Sequence, residues 1–323
     1  MKATFRTLLT CLVALGMAAV SSHPATAATT KKKTVATKKL PAKAKPAHQS
    51  PVRPVAHHAA LQEDTGAGPI EQIRSAAVAV IDQSTGDVLY EKNADAVVPI
   101  ASITKLMTAM VALDVQPDLS ETLTITEADV DTIKGTHSRL AVGTQLSREQ
   151  MLRLALMSSE NRAASALSRH YPGGRAAFVA AMNAKAKMLG LTDTRFVDPT
   201  GLTPENVSSA RDLVKLVNAA HQYPLIREFT TTDEYQVVVR GRPLIFRNTN
   251  SLVKKDDWNI GLSKTGFISE AGKCLVMQAW LANKPTIIVL LDSWGKLTRI
   301  ADAQRIKRWV ETTLASKDGT IRG

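Results

Sequence analysis

The chain has 323 residues and a formal net charge of +12, and its length predicts one or two domains. Residues 1–60 hold ten basic residues and no Asp or Glu, so the remainder carries 31 basic against 29 acidic residues. A near-neutral remainder argues against a nucleic-acid-binding protein, whose positive charge would lie on its folded surface.

The first 27 residues have the pattern of a secretory signal peptide. Lys2 and Arg6 give a positive start, residues 8–20 form an apolar run, and Ala25-Thr26-Ala27 fits a small-residue cleavage site. The apolar run is too short to span a bilayer comfortably. We therefore expect cleavage before Ala28 and a periplasmic location, with an uncleaved anchor as the alternative.

Residues 28–68 are rich in Lys, Ala, Pro, Thr and His and lack an apolar period, which predicts a disordered basic tail. The tail is either a solvated tether or a loose attachment to anionic lipid or wall polymer. The folded domain is then expected in residues 69–323. Cleavage would leave Cys274 as the only cysteine, and we expect a small buried residue there rather than a nucleophile.

Predicted strands lie at both ends of the folded part. Residues 75–82 and 88–92 predict two strands joined by a turn. Residues 102–113 are apolar on most sides and predict a buried helix with Ser102 at its N-terminus. Further helices are expected at residues 147–157, 164–171, 175–189, 210–221 and 298–314, and further strands at residues 235–239, 261–268, 273–281 and 285–292. This order predicts one antiparallel sheet with a helical insertion.

The first motif that carries chemistry is Ser102-Ile103-Thr104-Lys105. Residues three apart on a helix share a face, so the hydroxyl and the amine are expected to meet. A serine hydroxyl needs a base to become a nucleophile, and a lysine can be that base if burial or a second cation lowers its pKa. Alone, the same residues are more often a helix cap followed by a solvated lysine.

Two later motifs are Ser159-Glu160-Asn161, expected in a tight turn, and Lys264-Thr265-Gly266, expected in a strand. A hydroxyl can relay a proton, an amide can orient a peptide group, and Gly lets a ligand approach closely. Glu160 is expected to be structural. Each motif alone is commoner as a cap, turn or edge strand, but the three in this order indicate an active-site serine enzyme that works without histidine.

Other catalytic patterns are poorly supported. After residue 60 only His137, His170 and His221 remain, and there is no Gly-x-Ser-x-Gly elbow and no zinc-binding motif. We expect surface or core roles for these histidines.

The chain resembles the low-molecular-mass penicillin-binding proteins, the serine-type D-alanyl-D-alanine carboxypeptidase and endopeptidase family, over about residues 70–315. The resemblance rests on residues 99–110, 154–164, 194–202, 246–250 and 264–267. It implies an α+β fold of the β-lactamase/transpeptidase type, with a five-stranded antiparallel sheet flanked by helices and a largely helical insertion. It implies no metal or organic cofactor, and β-lactams as covalent inhibitors.

The resemblance also implies a role for each motif residue. Ser102 would form an acyl-enzyme, Lys105 would be its base, and Ser159 would relay a proton. The implied substrate-binding residues are Asn161, Lys264, Thr265 and Gly266, and the implied oxyanion hole is the backbone N–H groups of Ser102 and Phe267.

The resemblance is closest to the endopeptidase branch, so we expect hydrolysis of D-alanyl–meso-diaminopimelyl cross-links in peptidoglycan. Only 57 residues follow Gly266, too few for the second domain and membrane helix that carboxypeptidases of this group usually carry. A D-alanyl-D-alanine carboxypeptidase remains the main alternative. A β-lactamase would need a Glu that acts as deacylating base, usually on a loop between the second and third motifs. Glu205 lies in that interval, but the sequence around it is unlike the expected loop. A non-catalytic wall-binding module is a further alternative, and the complete catalytic motifs argue against it.

Overall fold

The computed structural model describes residues 70–295 and 297–320. The expected signal peptide (residues 1–27) and basic tail (28–68) lie outside the described residues. The main sheet is built from the strands β1 Ala77–Asp82, β2 Val88–Lys92, β9 Asn259–Ile268, β10 Gly272–Leu281 and β11 Lys284–Ser293. Its order is β2-β1-β11-β10-β9, with all neighbours antiparallel. The predicted five-stranded antiparallel sheet is confirmed.

The sheet separates two apolar cores because successive side chains of a strand point to opposite faces. Ala77 and Ala79 of β1 lie in the core shared with the helical lobe. Val78 and Val80 lie in the second core, which also contains Ala303, Ile306 and Val310 of the C-terminal helix α7 (Thr298–Thr320). Burial on both faces explains why β1 reads as a continuous apolar run.

The helical lobe lies between β2 and β9 in sequence. Its helices are α1 Lys105–Asp114, α2 Arg148–Met157, α3 Asn161–Arg169, α4 Gly174–Met188, α5 Ala210–Ala220 and α6 Pro224–Thr231. α2 begins with a capping box, in which Ser147 and Gln150 satisfy each other's backbone N–H groups. Helix α1 is buried from Lys105 to Ala112, and the lobe packs around it.

The helix expected from Ser102 begins three residues later. Residues Ala101–Thr104 form a 3-10 turn, and α1 starts at Lys105. The turn is entered through Ala101 at φ +47°, a left-handed conformation that an α-helix does not contain. Ser102 therefore lies in a tight turn that leads into α1.

The expectation of a single sheet is wrong for residues 235–239. These residues belong to β7 (Glu234–Val239), which pairs only with β8 (Arg242–Arg247) in a separate hairpin. Helix α6 was not predicted, although Pro224 at its first turn is a recognised start signal. Four short strands form two further pairs: β3 (Val98–Pro99) with β6 (Val207–Ser208), and β4 (Thr122–Thr124) with β5 (Gln145–Ser147).

Candidate active site

The structure places the first motif at the junction of the 3-10 turn and α1. Lys105 Nζ lies 2.7 Å from Ser102 Oγ, so the predicted contact between amine and hydroxyl is present. Lys105 has 0% exposure, which separates it from the solvated lysine of an ordinary capped helix. The motif therefore buries an amine directly against a hydroxyl.

Lys105 Nζ has two other partners. It donates to Asn161 Oδ1 and to the backbone oxygen of Thr200, each at 2.7 Å. Both are carbonyl oxygens, which can only accept hydrogen bonds. A neutral amine has two N–H donors and one lone pair, so these acceptors take the donors and leave the lone pair to Ser102. This arrangement can remove a proton from the serine hydroxyl.

Burial lowers the pKa of Lys105 to about 7. Desolvation of the ammonium form is the largest cause, and the negative charges of Asp198 and Glu160 oppose it by favouring that form. A lysine pKa near neutrality suits a general base because a large fraction of the amine is unprotonated.

The second and third motifs meet across the cleft between α3 and the edge strand β9. Lys264 Nζ donates to Ser159 Oγ and to the backbone oxygen of Thr265, each at 2.9 Å. Ser159 sits in the tight turn before α3 at φ +63°. Lys264 is only 1% exposed, and desolvation, followed by the charges of Lys105 and Arg299, lowers its pKa well below the usual range.

Gly266 has a packing requirement of its own, apart from the predicted approach of a ligand. A Cβ at this position would lie 2.8 Å from the Ile100 oxygen and 3.2 Å from the Ala101 Cβ. The absence of a side chain lets β9 pack directly on the turn that holds Ser102. Its neighbour Phe267 is 57% exposed, and Lys273 Nζ lies 4.2 Å from the centre of its ring.

The partners of Thr265 and of Lys105 described next were not predicted. Thr249 Oγ1 lies 2.6 Å from Thr265 Oγ1, and Thr200 supplies a carbonyl oxygen to Lys105. Any residue type can supply a backbone carbonyl, so the role of Thr200 could be predicted only from a signal in the neighbouring sequence. The turn residues of Asp198-Pro199-Thr200-Gly201 are such a signal.

A dense hydrogen-bond network fixes the Thr200 carbonyl. The Asp198 carboxylate accepts from backbone N–H groups of Thr200, Gly201 and Thr203. Asn206 Nδ2 donates to the backbone oxygen of Asp198 at 2.8 Å and to Thr104 Oγ1 at 3.1 Å, which ties the loop to the 3-10 turn. The loop thus holds an acceptor at a set position beside Lys105.

The remaining sequence-predicted residues lie away from this chemistry or support it structurally. Cys274 is buried and pairs with Gly266 in the sheet, and burial raises the pKa of its thiol to about 11, so the expected small buried residue is confirmed. Glu160 accepts from Ser138 Oγ at 2.7 Å. Glu205 is exposed to solvent.

The described residues contain no group of three or more His, Cys, Asp or Glu side chains that could hold a metal ion. None of the helices in the described residues combines the length and the apolar composition that a membrane span needs.

The sequence profile of the D-alanyl-D-alanine carboxypeptidases, peptidase family S11, matches residues 62–295. The chain belongs to this family. S11 peptidases are serine enzymes that act on peptidoglycan and are sensitive to penicillin, and the buried Ser102–Lys105 pair fits such an enzyme.

Two curated relatives resemble the chain over most of its length. A D-alanyl-D-alanine endopeptidase of Pseudomonas aeruginosa is 54% identical over 247 residues, which cover 76% of this chain and 80% of that protein. A D-alanyl-D-alanine endopeptidase of Escherichia coli K12 is 51% identical over 243 residues, which cover 75% and 78%.

Solved structures of DD-peptidases share the fold. The Streptomyces K15 DD-transpeptidase superposes with a TM-score of 0.68 at 31% identity, covering 73% of this chain and 97% of its own. A D-alanyl-D-alanine carboxypeptidase from Mycobacterium tuberculosis gives 0.67 at 28% identity, covering 76% and 94%. The predicted β-lactamase/transpeptidase-like fold is confirmed.

Proposed function

We propose that this protein is a serine DD-endopeptidase that hydrolyses D-alanyl–meso-diaminopimelyl cross-links in peptidoglycan through an acyl-enzyme. The observation that carries the chemistry is the buried Lys105 amine, held between the Ser102 hydroxyl and two carbonyl oxygens. The choice of bond is supported by the 54% and 51% identical relatives, both of which are D-alanyl-D-alanine endopeptidases.

In the acylation step, Ser102 Oγ attacks the D-alanyl carbonyl carbon while its proton moves to Lys105 Nζ. The carbonyl oxygen becomes an oxyanion, for which the backbone N–H groups of Ser102 and Phe267 are the proposed donors. Phe267 lies on β9, an edge strand of the main sheet, whose outer backbone groups have no strand partner in that sheet.

Collapse of the tetrahedral intermediate breaks the C–N bond, and the leaving amine must gain a proton. That proton is the one Lys105 took from Ser102, and Ser159 is the proposed relay because its hydroxyl contacts Lys264, whose pKa is lowered in part by the charge of Lys105. Water then attacks the Ser102 ester with Lys105 again as base, which releases the D-alanyl carboxylate and restores the hydroxyl.

Substrate binding is assigned to four further residues. Lys264, Thr265 and Gly266 lie on the strand along which the substrate peptide would extend. Asn161 Nδ2 donates one hydrogen to Thr136 Oγ1, so its other hydrogen is the one proposed to hold the substrate amide.

We also propose that the protein is exported to the periplasm. We assign residues 1–27 to a cleaved signal peptide, residues 28–68 to a basic tail that gives at most loose wall or membrane association, and residues 69–323 to the catalytic domain in the periplasm. N-terminal sequencing of the exported protein should begin close to Ala28. A membrane-bound product that keeps Met1 would show an uncleaved anchor.

Digestion of purified sacculi tests the substrate. The enzyme should convert cross-linked muropeptide dimers to monomers, and Ser102→Ala should leave the dimers intact. Release of free D-alanine from pentapeptides with the dimers untouched would instead identify a carboxypeptidase, an activity named for several relatives near 30% identity. Rapid turnover of nitrocefin would identify a β-lactamase.

A further inference from the structure

The amide of Asn161 is held on both sides by hydrogen bonds. Its Oδ1 accepts from Lys105 Nζ at 2.7 Å, and its Nδ2 donates to Thr136 Oγ1 at 3.2 Å. Thr136 lies in the exposed loop of residues 131–139, on none of the three motifs. Its own hydroxyl donates to Asp131 Oδ2 at 2.6 Å. A chain of hydrogen bonds therefore runs from Asp131 through Thr136 and Asn161 to Lys105.

We propose that Asp131 and Thr136 are positioning residues that keep the Asn161 amide oxygen turned toward Lys105, so that the lysine lone pair stays available to Ser102. The proposal rests on acylation of Ser102, but not on the choice between endopeptidase and carboxypeptidase.

The direction of the chain follows from counting donors and acceptors. An ionised carboxylate can only accept, and a threonine hydroxyl has one hydrogen to give. Because Thr136 gives that hydrogen to Asp131, its oxygen can only accept from Asn161. The amide group that faces Thr136 must then be the NH₂ group, which turns the oxygen toward Lys105.

Asp131 is well suited to remain ionised. Burial alone would raise the pKa of this carboxyl, but hydrogen bonds from the Thr136 hydroxyl and from the backbone N–H groups of Lys134, Thr136 and Ile133 outweigh burial and lower it. The same bonds fold the loop around the carboxylate. Asp131 therefore fixes both the shape of the loop and the direction of the Thr136 hydroxyl.

The loop is also attached through Lys134, Ser138 and Arg139, whose Nη1 donates to the Ile245 backbone oxygen at 2.7 Å. Lys134 pairs with Glu270, in the turn between β9 and β10, at 2.5 Å, and Ser138 donates to Glu160 at 2.7 Å. These contacts connect the loop to both walls of the cleft. Thr136 is thus held beside Asn161 by anchors that do not depend on the Asn161 bond.

A reversed amide would change the chemistry of Lys105. Its NH₂ group would then face the amine and would donate to the lone pair that Ser102 needs. The neutral lysine would be stabilised and its pKa lowered further, yet it would be a poorer base because its lone pair would be occupied. The other charged groups near this amine are Asp198, Glu160 and Lys264.

Penicillin acylation of the full chain, followed by stopped-flow measurement across pH, tests the proposal with the variant Thr136→Val. This change removes the hydroxyl at nearly constant volume. We expect the plateau acylation rate at high pH to fall about fivefold, the effect of one hydrogen bond. We expect the acidic limb of the profile to move to lower pH, and Thr136→Ser to restore both the rate and the limb.

A shift of the acidic limb to higher pH in Thr136→Val would indicate that Thr136 has only a structural role. If Thr136 only held the loop in place, its loss would admit water, weaken the desolvation of Lys105 and move the acidic limb to higher pH. Thr132→Val, an exposed change in the same loop, serves as the matched control and should leave the profile unchanged. An unchanged plateau in Thr136→Val, a limb that stays or moves to higher pH, or failure of Thr136→Ser to restore the rate would overturn the proposal.

Discussion

Lys105 and Lys264 have almost no solvent exposure, and each contacts a serine hydroxyl. Burial disfavours both ammonium forms, and the charge of Lys105 further lowers the pKa of Lys264. A proton taken from Ser102 is therefore held weakly and can be passed on toward the leaving amine. Both lysines would be solvated on an ordinary helix or edge strand. Here desolvation lowers the pKa of each amine, which makes proton transfer possible.

Lys105→Arg separates a base from a structural cation. Arginine keeps the positive charge but does not lose its proton in proteins, so the variant cannot deprotonate Ser102. We expect penicillin acylation to slow by about 10²- to 10⁴-fold, the usual contribution of a general base. Lys187→Arg, at an exposed lysine of α4, is the control and should acylate normally. A folded Lys105→Arg protein with near-native acylation would remove Lys105 from the base role.

The acylation rate of the native enzyme should depend on pH through Lys105. Because burial lowers the pKa of this amine to about 7, the reactive neutral form is lost as the pH falls below that value. The rate of penicillin acylation should therefore rise with pH and level off above about pH 8. A flat profile, or a limb near the ordinary lysine pKa, would show that Lys105 is not the group that titrates.

At the scale of elements, the site depends on close packing of two backbone segments. Gly201 adopts φ +80°, and a Cβ there would lie 1.9 Å from the Ala101 backbone oxygen. The loop that presents the Thr200 carbonyl therefore rests directly on the turn that presents Ser102. The two nearest atoms to such a Cβ are backbone atoms of Ala101, which cannot move aside as the end of a flexible side chain could.

Gly201→Ala should disturb the site more than Gly86→Ala, the same substitution at a glycine with nearly the same positive φ. Gly86 has φ +81°, and a Cβ there would have nothing within 4 Å, so Gly86→Ala carries only the left-handed strain of about 1–2 kcal/mol. Gly201→Ala adds a backbone clash and should lower both the melting temperature and the acylation rate. Thermal unfolding and penicillin acylation of the two variants provide the comparison. Equal losses of melting temperature and acylation rate in Gly201→Ala and Gly86→Ala would contradict the dependence of the site on this close packing.

The sequence predicted the main elements and the motif residues, but not all of their boundaries or partners. The strands of the main sheet were recognisable because their apolar runs are long and are bounded by turns. The β7–β8 hairpin has the same local pattern as a main-sheet strand, and only tertiary pairing distinguishes the two. The start of α1 was misplaced because the 3-10 turn before it depends on packing against Gly201 and Gly266. Thr136 and Thr200 contribute through geometry that residue type does not encode.

At the scale of the whole described part, the sheet links the helical lobe to α7. Strand β1 pairs with β11, and β10 lies between β11 and β9, the strand that carries the third motif. Asp302 of α7 accepts hydrogen bonds from the backbone N–H groups of Arg74 and Ser75, and Arg299 of α7 donates to the Gly266 oxygen at 3.0 Å. The last helix thus supports the strand that carries the third motif.

The central claim is that Ser102, activated by Lys105, forms a covalent acyl-enzyme. Intact-mass analysis after incubation with benzylpenicillin, followed by peptide mapping, tests it most directly. We expect a single penicilloyl adduct on the peptide that contains Ser102, and no adduct on Ser102→Ala. An adduct on any other residue, or labelling that survives Ser102→Ala, would contradict the claim.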